Sequence, residues 1–506
     1  MPLRVRSERI AAPRPVVVAV SRELSVAMSE TSDSSSIAAG VQALARHFGD
    51  LVSLEEGERR AFETDFGRWR TQVPAAVARC RTSADVAAVV RFCREHRLPI
   101  APRSQGHTQS GQSLTAGVLI DSAAMNRILA IDEAGGWADC EAGVVWRDLV
   151  VEATGRGLIP PVLTNNLSVT VAGTTSVAGL GVASFRHGTQ ADNALEIECV
   201  TGDGEIHRCS REHEPELFDM VRCSLGQIGV ITRVRTRLRP VEPRVRLYTL
   251  VYDDLGRFMD DARRVMDPAD STFATLGGIC SPAPMGFRRI GEGMELGKGM
   301  IGYGLWLYPM YLTVEYAPGA EPNDREVLSG LAPWRHVQTQ DMTALEFARR
   351  MEPMFEAWKL SGYWDQPHPW MEVTLPWEVA REYIETVLAN LPPGALGPGG
   401  HVLLWPARTV TSSVPLFKHP GGEVVLGWGI LGSVVPSKLD EMLAQLDMAS
   451  ELAIAYGGKR YLSGYVTFDT PERWAAHYGE TWSRLCAAKR RWDPDHLLAP
   501  GFIRYA

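Results

Sequence analysis

The sequence predicts an α+β protein of two domains, and three observations carry that prediction. The chain has 506 residues, 45% of them hydrophobic, which is enough to bury more than one core. Residues 36–240 alternate short helix-period and strand-period segments. Near Pro240 the texture changes, and residues 241–475 become richer in aromatics, methionine and glycine loops. That second region reads as an antiparallel sheet covered by helices.

The elements follow in chain order. "GVQALARHF" places apolar residues on one helical face within a mixed helical stretch over 36–72. "TSADVAAVVRFCREH" is an amphipathic helix capped by Thr82 or Ser83, and "RLPIAPR" is a buried strand. "GVLIDSAAMNRIL" reads as a buried strand, a turn and a short helix. "VVWRDLVVEATGRG" is a helix closed by Gly155 or Gly157. "ALEIECVTGDGEIHRC" is a hairpin around Gly-Asp-Gly, "ELFDMVRC" a helix, and "GVITRVRTRL" a strand with outward arginines. In the second region "RVRLYTLVY", "GLWLYPMYLTVEY" and "HPWMEVTLP" read as strands. "DDLGRFMDDARRVM", "ALEFARRMEPMFEAW" and "WEVAREYIETVLANL" are the covering helices, and "PPGALGPGGH" is a loop. A helix and a proline-rich tail end the chain.

Composition excludes several function classes. A net charge of −8 argues against nucleic acid as the main partner. No apolar run is long enough to span a membrane. The eight cysteines show no CxxC pair and no framework spacing, so they read as free thiols in a reducing, cytoplasmic setting. Clustered metal ligands are missing, and no metal site is expected. Residues 1–35 read as a disordered leader. "RPVVVAVSREL" is broken by proline and lacks a small-residue cleavage site, and Met28 is a candidate second start.

Three glycine-rich stretches carry the chemical signal. "SQGHTQSGQ" holds His107 at the end of a strand. "NNLSVTVAGTTSVAGLGVASFRHG" crowds Gly173, Thr174, Thr175, Ser176, Gly179 and Gly181 together, and "SLGQIGVIT" adds Gly226 and Gly229. Side chains this small let backbone N–H groups and hydroxyls approach a diphosphate. None is a Walker loop or a G-x-G-x-x-G fingerprint. One such loop reads as a turn, whereas three in one domain point to a large dinucleotide.

From about residue 70 onward these motifs together resemble the vanillyl-alcohol-oxidase type of FAD-linked oxidoreductases, with a PCMH-type FAD domain, and within it the cytokinin dehydrogenases. The family's first loop is arginine, glycine, any residue, glycine, histidine, serine. Here it runs Arg103, Ser104, Gln105, Gly106, His107, Thr108. "FRHGTQADNALEIECVTGDGE", "LGQIGVIT", "WDQPHPWMEVTLP" and "WDPDHLLAPG" match further family segments.

The resemblance implies a discontinuous FAD-binding domain, residues 36–240 plus a C-terminal return over 476–506, around a substrate domain over 241–475. It implies FAD held covalently by His107, with a single link because the second loop has no cysteine. The implied FAD contacts are Pro102, Ser104, Gln105, Gly106, Thr108 and Gln112, then Asn165, Thr170, Gly173, Ser176 and Leu180, and finally Ile231. The family's C-terminal glutamine is Phe502 here.

Two family acids are replaced. Asn165 stands where the amine-binding aspartate is expected, and Gly277 where the second carboxylate is expected. The implied reaction is hydride removal from a C–H next to nitrogen or oxygen of a small flat molecule. The flavin is then reoxidised by O2 or another acceptor, and small Gly173 with Ala172 favours O2. A cytokinin dehydrogenase with a displaced base and an inactive flavin carrier are the rival readings. Trp370 falls at a position lining the family's substrate cavity. Glu372, two residues on, is expected to share its strand face and to act as base, with His368 as a weaker rival. Trp306 and Trp377 read as core.

Overall fold

The structure is a computed structural model that describes residues 34–270, 272–282, 287–290, 293–296, 306–397 and 399–505. The expected leader lies outside the described residues up to position 33; a helix begins at Ser34 and runs to Phe48.

The first half builds two small sheets around one core. Strands Ala76–Arg79, Val118–Asp121 and Ile100–Arg103 lie parallel, and Val52–Ser53 adds an antiparallel edge. Parallel neighbours need a crossover, and helix Ser83–Glu95 supplies it. Thr82 caps that helix, and Asp85 closes a capping box with it. The second sheet is antiparallel, in the order 128–132, 137–141, 229–237, 194–201, 206–210. The short helix expected after Asp121 is instead strand Ile128–Asp132, because pairing to Trp137–Asp139 and Cys140 overrides its local preference.

The second half forms an eight-stranded antiparallel sheet. Four consecutive strands, Thr275–Pro282, His401–Arg408, Val424–Leu431 and Met371–Pro376, run from its centre toward one edge. Helices Leu255–Val265, Trp377–Asn390 and Leu439–Ala455 pack on one face and make the second core with Trp428, Tyr252 and Tyr383. Trp377 belongs to this core and Trp306 packs against it, as expected. The helix expected over 344–358 is two, Ala344–Ala348 and Glu352–Leu360, with Pro353 in the first turn of the second. The terminal helix is likewise split, at Gly479, whose φ is +58°.

The chain re-enters the first core early. Tyr461, Leu462, Val466 and Phe468 already pack there, ahead of helices Pro471–Tyr478 and Thr481–Trp492. At the centre of the large sheet Gly427 lies against the Trp405 ring, and an added Cβ would fall inside that ring. Gly427→Ala is therefore expected to cost about 1–3 kcal/mol by overpacking. A lower midpoint in chemical unfolding with an unchanged slope checks it.

Candidate functional site

The loop carrying His107 is fixed from both ends. Gly106 has φ of +60°, and a Cβ there would strike the Arg103 guanidinium, so only glycine fits. The segment Asp65–Gly67 runs alongside the loop. Phe66 N–H donates to Gly106 O at 2.8 Å, and Gly67 N–H to Thr108 O at 3.1 Å. The buried Asp65 carboxylate accepts from Gly67 N at 3.0 Å, Thr108 Oγ1 at 2.9 Å and Gly111 N at 2.7 Å. Burial raises Asp65 to about 6, against the pull of these donors. Nothing local in the sequence marks this clasp.

At the other end, Gln112 Nε2 donates to three carbonyls, of Leu462, Ser463 and Gly464, at 2.8, 3.1 and 3.0 Å. Gln109 N–H donates to Ser463 O, and Ser110 Oγ to Val466 O. The same returning segment is bonded to the large sheet. Tyr461 N–H donates to Glu372 O at 3.0 Å, and Tyr465 N–H donates to Trp370 O. Six residues, 461–466, thus tie the histidine loop to the segment carrying Trp370 and Glu372.

The other glycine stretches close on this loop. Thr170 Oγ1 caps helix Val171–Thr175 by accepting from Gly173 N–H, and it lies 2.8 Å from Ser104 Oγ. A Cβ on Gly173 would come within 3.0 Å of both hydroxyls. Gly226, with φ of +76°, packs a would-be Cβ 2.8 Å from Pro102 Cγ. All the FAD-contact candidates named from sequence line one cleft: Pro102, Ser104, Gln105, Gly106, His107, Thr108, Gln112, Asn165, Thr170, Gly173, Ser176, Leu180 and Ile231.

The large sheet supplies the opposite wall. Glu372 pairs with Gly429, which pairs with Leu403, and His401 pairs with Leu431. Side chains two apart share a face, so Glu372, Leu403, His401 and Leu431 all look into the cleft, as Trp370 does. Gly429 gives Glu372 its room, since a Cβ there would meet Glu372 Cγ at 2.8 Å. Glu372 has no ion pair among the described residues. Its neighbour Arg460 is bound instead to Ser450 and to the Tyr465 carbonyl. Burial pushes the Glu372 carboxyl up to about 7, with Arg460 opposing. Tyr461 and His401 also line the cleft and were not foreseen.

The remaining candidates divide. His107 is held neutral, its pKa drawn down to about 3 by burial and then by His368. Its ring packs 4.1 Å from Phe66. Asn166 accepts from Ser168 N–H through Oδ1, which turns its Nδ2 toward His107 Nε2 at 3.3 Å. Asn165 Oδ1 accepts from Arg350 at 2.9 Å. His368 lies outside the cleft, with its ring stacked 4.3 Å from Phe66 and backed by Trp358. The regular strand begins only at Met371, and Trp370 N–H donates to His368 O, a turn that removes His368 from the shared face. Gly277 packs its would-be Cβ 2.8 Å from Val182, so no carboxylate fits there.

Comparison with known proteins agrees with this geometry. The FAD binding domain family matches residues 74–210, and "Cytokinin dehydrogenase 1, FAD and cytokinin binding" matches residues 307–503. An uncharacterized oxidoreductase in the fasciation locus of Rhodococcoides fascians is 32% identical, covering 87% of this chain and 95% of its own. The chain belongs to the cytokinin dehydrogenase family. Cytokinin dehydrogenase 6 of Oryza sativa subsp. japonica is also 32% identical, over 87% of this chain and 88% of its own. The fold matches 6-hydroxy-D-nicotine oxidase from Arthrobacter nicotinovorans with a TM-score of 0.68 at 22% identity, over 89% and 97% of the two chains. The protein is therefore an FAD-dependent oxidoreductase.

The residues present fit that cofactor. Hydroxyls and bare backbone at Ser104, Thr170, Gly173 and Gly226 suit a diphosphate and its linker. Trp370, Phe355 and Met354 suit a flat ring system and its substrate. No cluster of metal ligands occurs among the described residues, and no described helix is long and apolar enough to cross a membrane.

Gln112→Ala leaves the buried Leu462 and Gly464 carbonyls without their donor, while Ser463 O keeps Gln109 N–H. A loss of about 2–3 kcal/mol is expected, together with faster release of FAD on dilution. Paired denaturation and flavin-fluorescence measurements check both effects.

Proposed function

We propose that this enzyme removes a hydride from a C–H next to nitrogen or oxygen of a small flat substrate, with Glu372 taking the accompanying proton. One observation carries the reading: Glu372 is a desolvated carboxylate, free of ion pairs, on the cleft wall facing the cofactor loops. Bound FAD supplies the hydride acceptor. Trp370 and Phe355 orient the flat substrate, and Glu372 holds the proton at its carboxylate. A pKa near neutrality suits a general base, because the ionised form is then both populated and avid for a proton. Small Gly173 with Ala172 supports O2 as the acceptor.

His107 is the residue proposed to hold the flavin covalently. Its imidazole is neutral and therefore nucleophilic. Asn166 occupies Nε2, whereas Nδ1 has no protein partner among the described residues. A plain cytokinin dehydrogenase is the second reading, favoured by the family match. Against it stands Asn165, whose amide oxygen is already bound to Arg350 and cannot serve as a base.

His107→Ala is expected to release all flavin into the supernatant on acid precipitation, while the wild-type pellet stays yellow and fluorescent. A colourless wild-type pellet contradicts the covalent anchor.

Glu372→Gln is expected to lower the rate of flavin reduction at least 100-fold at pH 8. In the wild type that rate rises with pH through about 7, as the carboxyl ionises. The stability signs run the other way. A carboxyl whose pKa is raised by folding costs stability as pH climbs from its unfolded value through about 7. The full cost is at most about 3 kcal/mol. Glu372→Gln is thus expected to melt above the wild type at pH 8, with the gap closing as pH falls below the unfolded value near 4.5. Near-normal reduction by the variant contradicts the role.

A further inference from the structure

The family position that holds an acceptor for an amine N–H is wired here as a donor. Arg350 lies in the break between helices Ala344–Ala348 and Glu352–Leu360, next to the cleft-lining Met351. Its guanidinium donates to Asn165 Oδ1 at 2.9 Å and to Phe347 O at 3.1 Å, and it lies 4.4 Å over the Phe347 ring. Among the described residues it has no acidic partner. The nearby acid, Glu352, is fully used, by Arg147 at 2.6 Å and Arg349 at 2.8 Å. Burial alone draws the Arg350 pKa down to about 10, so the group stays charged near neutrality.

The orientation of Asn165 follows from this. Arginine has donors only, so the amide oxygen must face it. The Asn165 NH2 is left as a donor at the cleft wall, polarised by the cation behind it. The opposite wall carries the acceptor, Glu372. A half-buried cation without a counter-ion among the described residues is costly, and an anion arriving beside it recovers part of that cost. An amine N–H is offered no acceptor by Asn165, whose oxygen is taken by Arg350.

We infer that the substrate carries a carboxylate, placed against Asn165 with Arg350 behind it, so that the enzyme oxidises a flat amino or hydroxy compound bearing an anionic group. This rests on the proposed reaction and adds the substrate class to it. Selectivity then comes from the asymmetry of polar sites: a buried donor rejects the analogue that leaves it unpaired.

The test uses FAD-loaded protein and planar probes that it cannot oxidise. Benzoate is paired with benzamide, and indole-3-acetate with indole-3-acetamide. Binding is read by calorimetry and by the flavin difference spectrum. The wild type is expected to bind each carboxylate at least tenfold more tightly than its amide. Arg350→Gln is expected to bring that ratio close to one. Asn165→Asp is nearly isosteric and gives Arg350 a permanent counter-ion, so it is expected to abolish the preference in a protein that folds. Glu372→Gln is expected to keep the preference among these unreactive probes, which separates failure of the anion site from failure of the base. Equal binding of acid and amide by the wild type overturns the inference. So does a preference that survives both Arg350→Gln and Asn165→Asp.

Discussion

Everything in this site depends on the hydrogen bonds made by the returning segment 460–466. It joins two bodies with separate hydrophobic cores. On one side Gln112, Gln109 and Ser110 hold its carbonyls and fix the histidine loop. On the other, Tyr461 and Tyr465 bond to the backbone of Glu372 and Trp370. Backbone groups buried between two bodies must be paired, and this pairing sets how far the cofactor loops lie from the sheet face. A carboxylate works as a base only at hydrogen-bond reach of its proton, so the strap converts a packing constraint into a chemical one.

The cleft has a consistent polarity. Its loop side is donor-rich, with His107 held uncharged by burial and with Arg103, hydroxyls and bare backbone beside it. Its sheet side holds one desolvated carboxylate among aromatic and aliphatic neighbours. Asp65 is the other acid here, but its charge is spent on the loop through Gly67, Thr108 and Gly111. The two acids do different work: Asp65 is buried and saturated with donors, whereas Glu372 is half-buried and faces the open cleft.

Much of this was legible in the sequence, for identifiable reasons. The capped helix at Thr82, the Gly-Asp-Gly hairpin and the glycine loops are local signals, and each formed as read. Period-two reasoning placed Trp370 and Glu372 on one face because a regular strand begins at Met371. The same reasoning failed for His368, which precedes Pro369 and lies in a turn. The strand Ile128–Asp132 was misread because a partner strand, not its own composition, decides it. The Asp65 clasp, the 460–466 strap, Arg350 and His401 left no local pattern at all. They act through partners tens to hundreds of residues away, and only the fold brings those partners together.

The central claim is that a titrating carboxyl stands beside the flavin without a counter-ion. It is tested most directly by following the absorption spectrum of the oxidised, FAD-loaded protein from pH 5 to pH 9 in the absence of any substrate. A charge that appears next to the ring system shifts its bands. The account predicts a transition near pH 7 in the wild type, matching the raised Glu372 carboxyl, and its loss in Glu372→Gln, whereas any contribution from Asp65 near pH 6 is common to both proteins. A wild-type spectrum that does not change across that range, or a transition near pH 7 that persists unchanged in the variant, would contradict it.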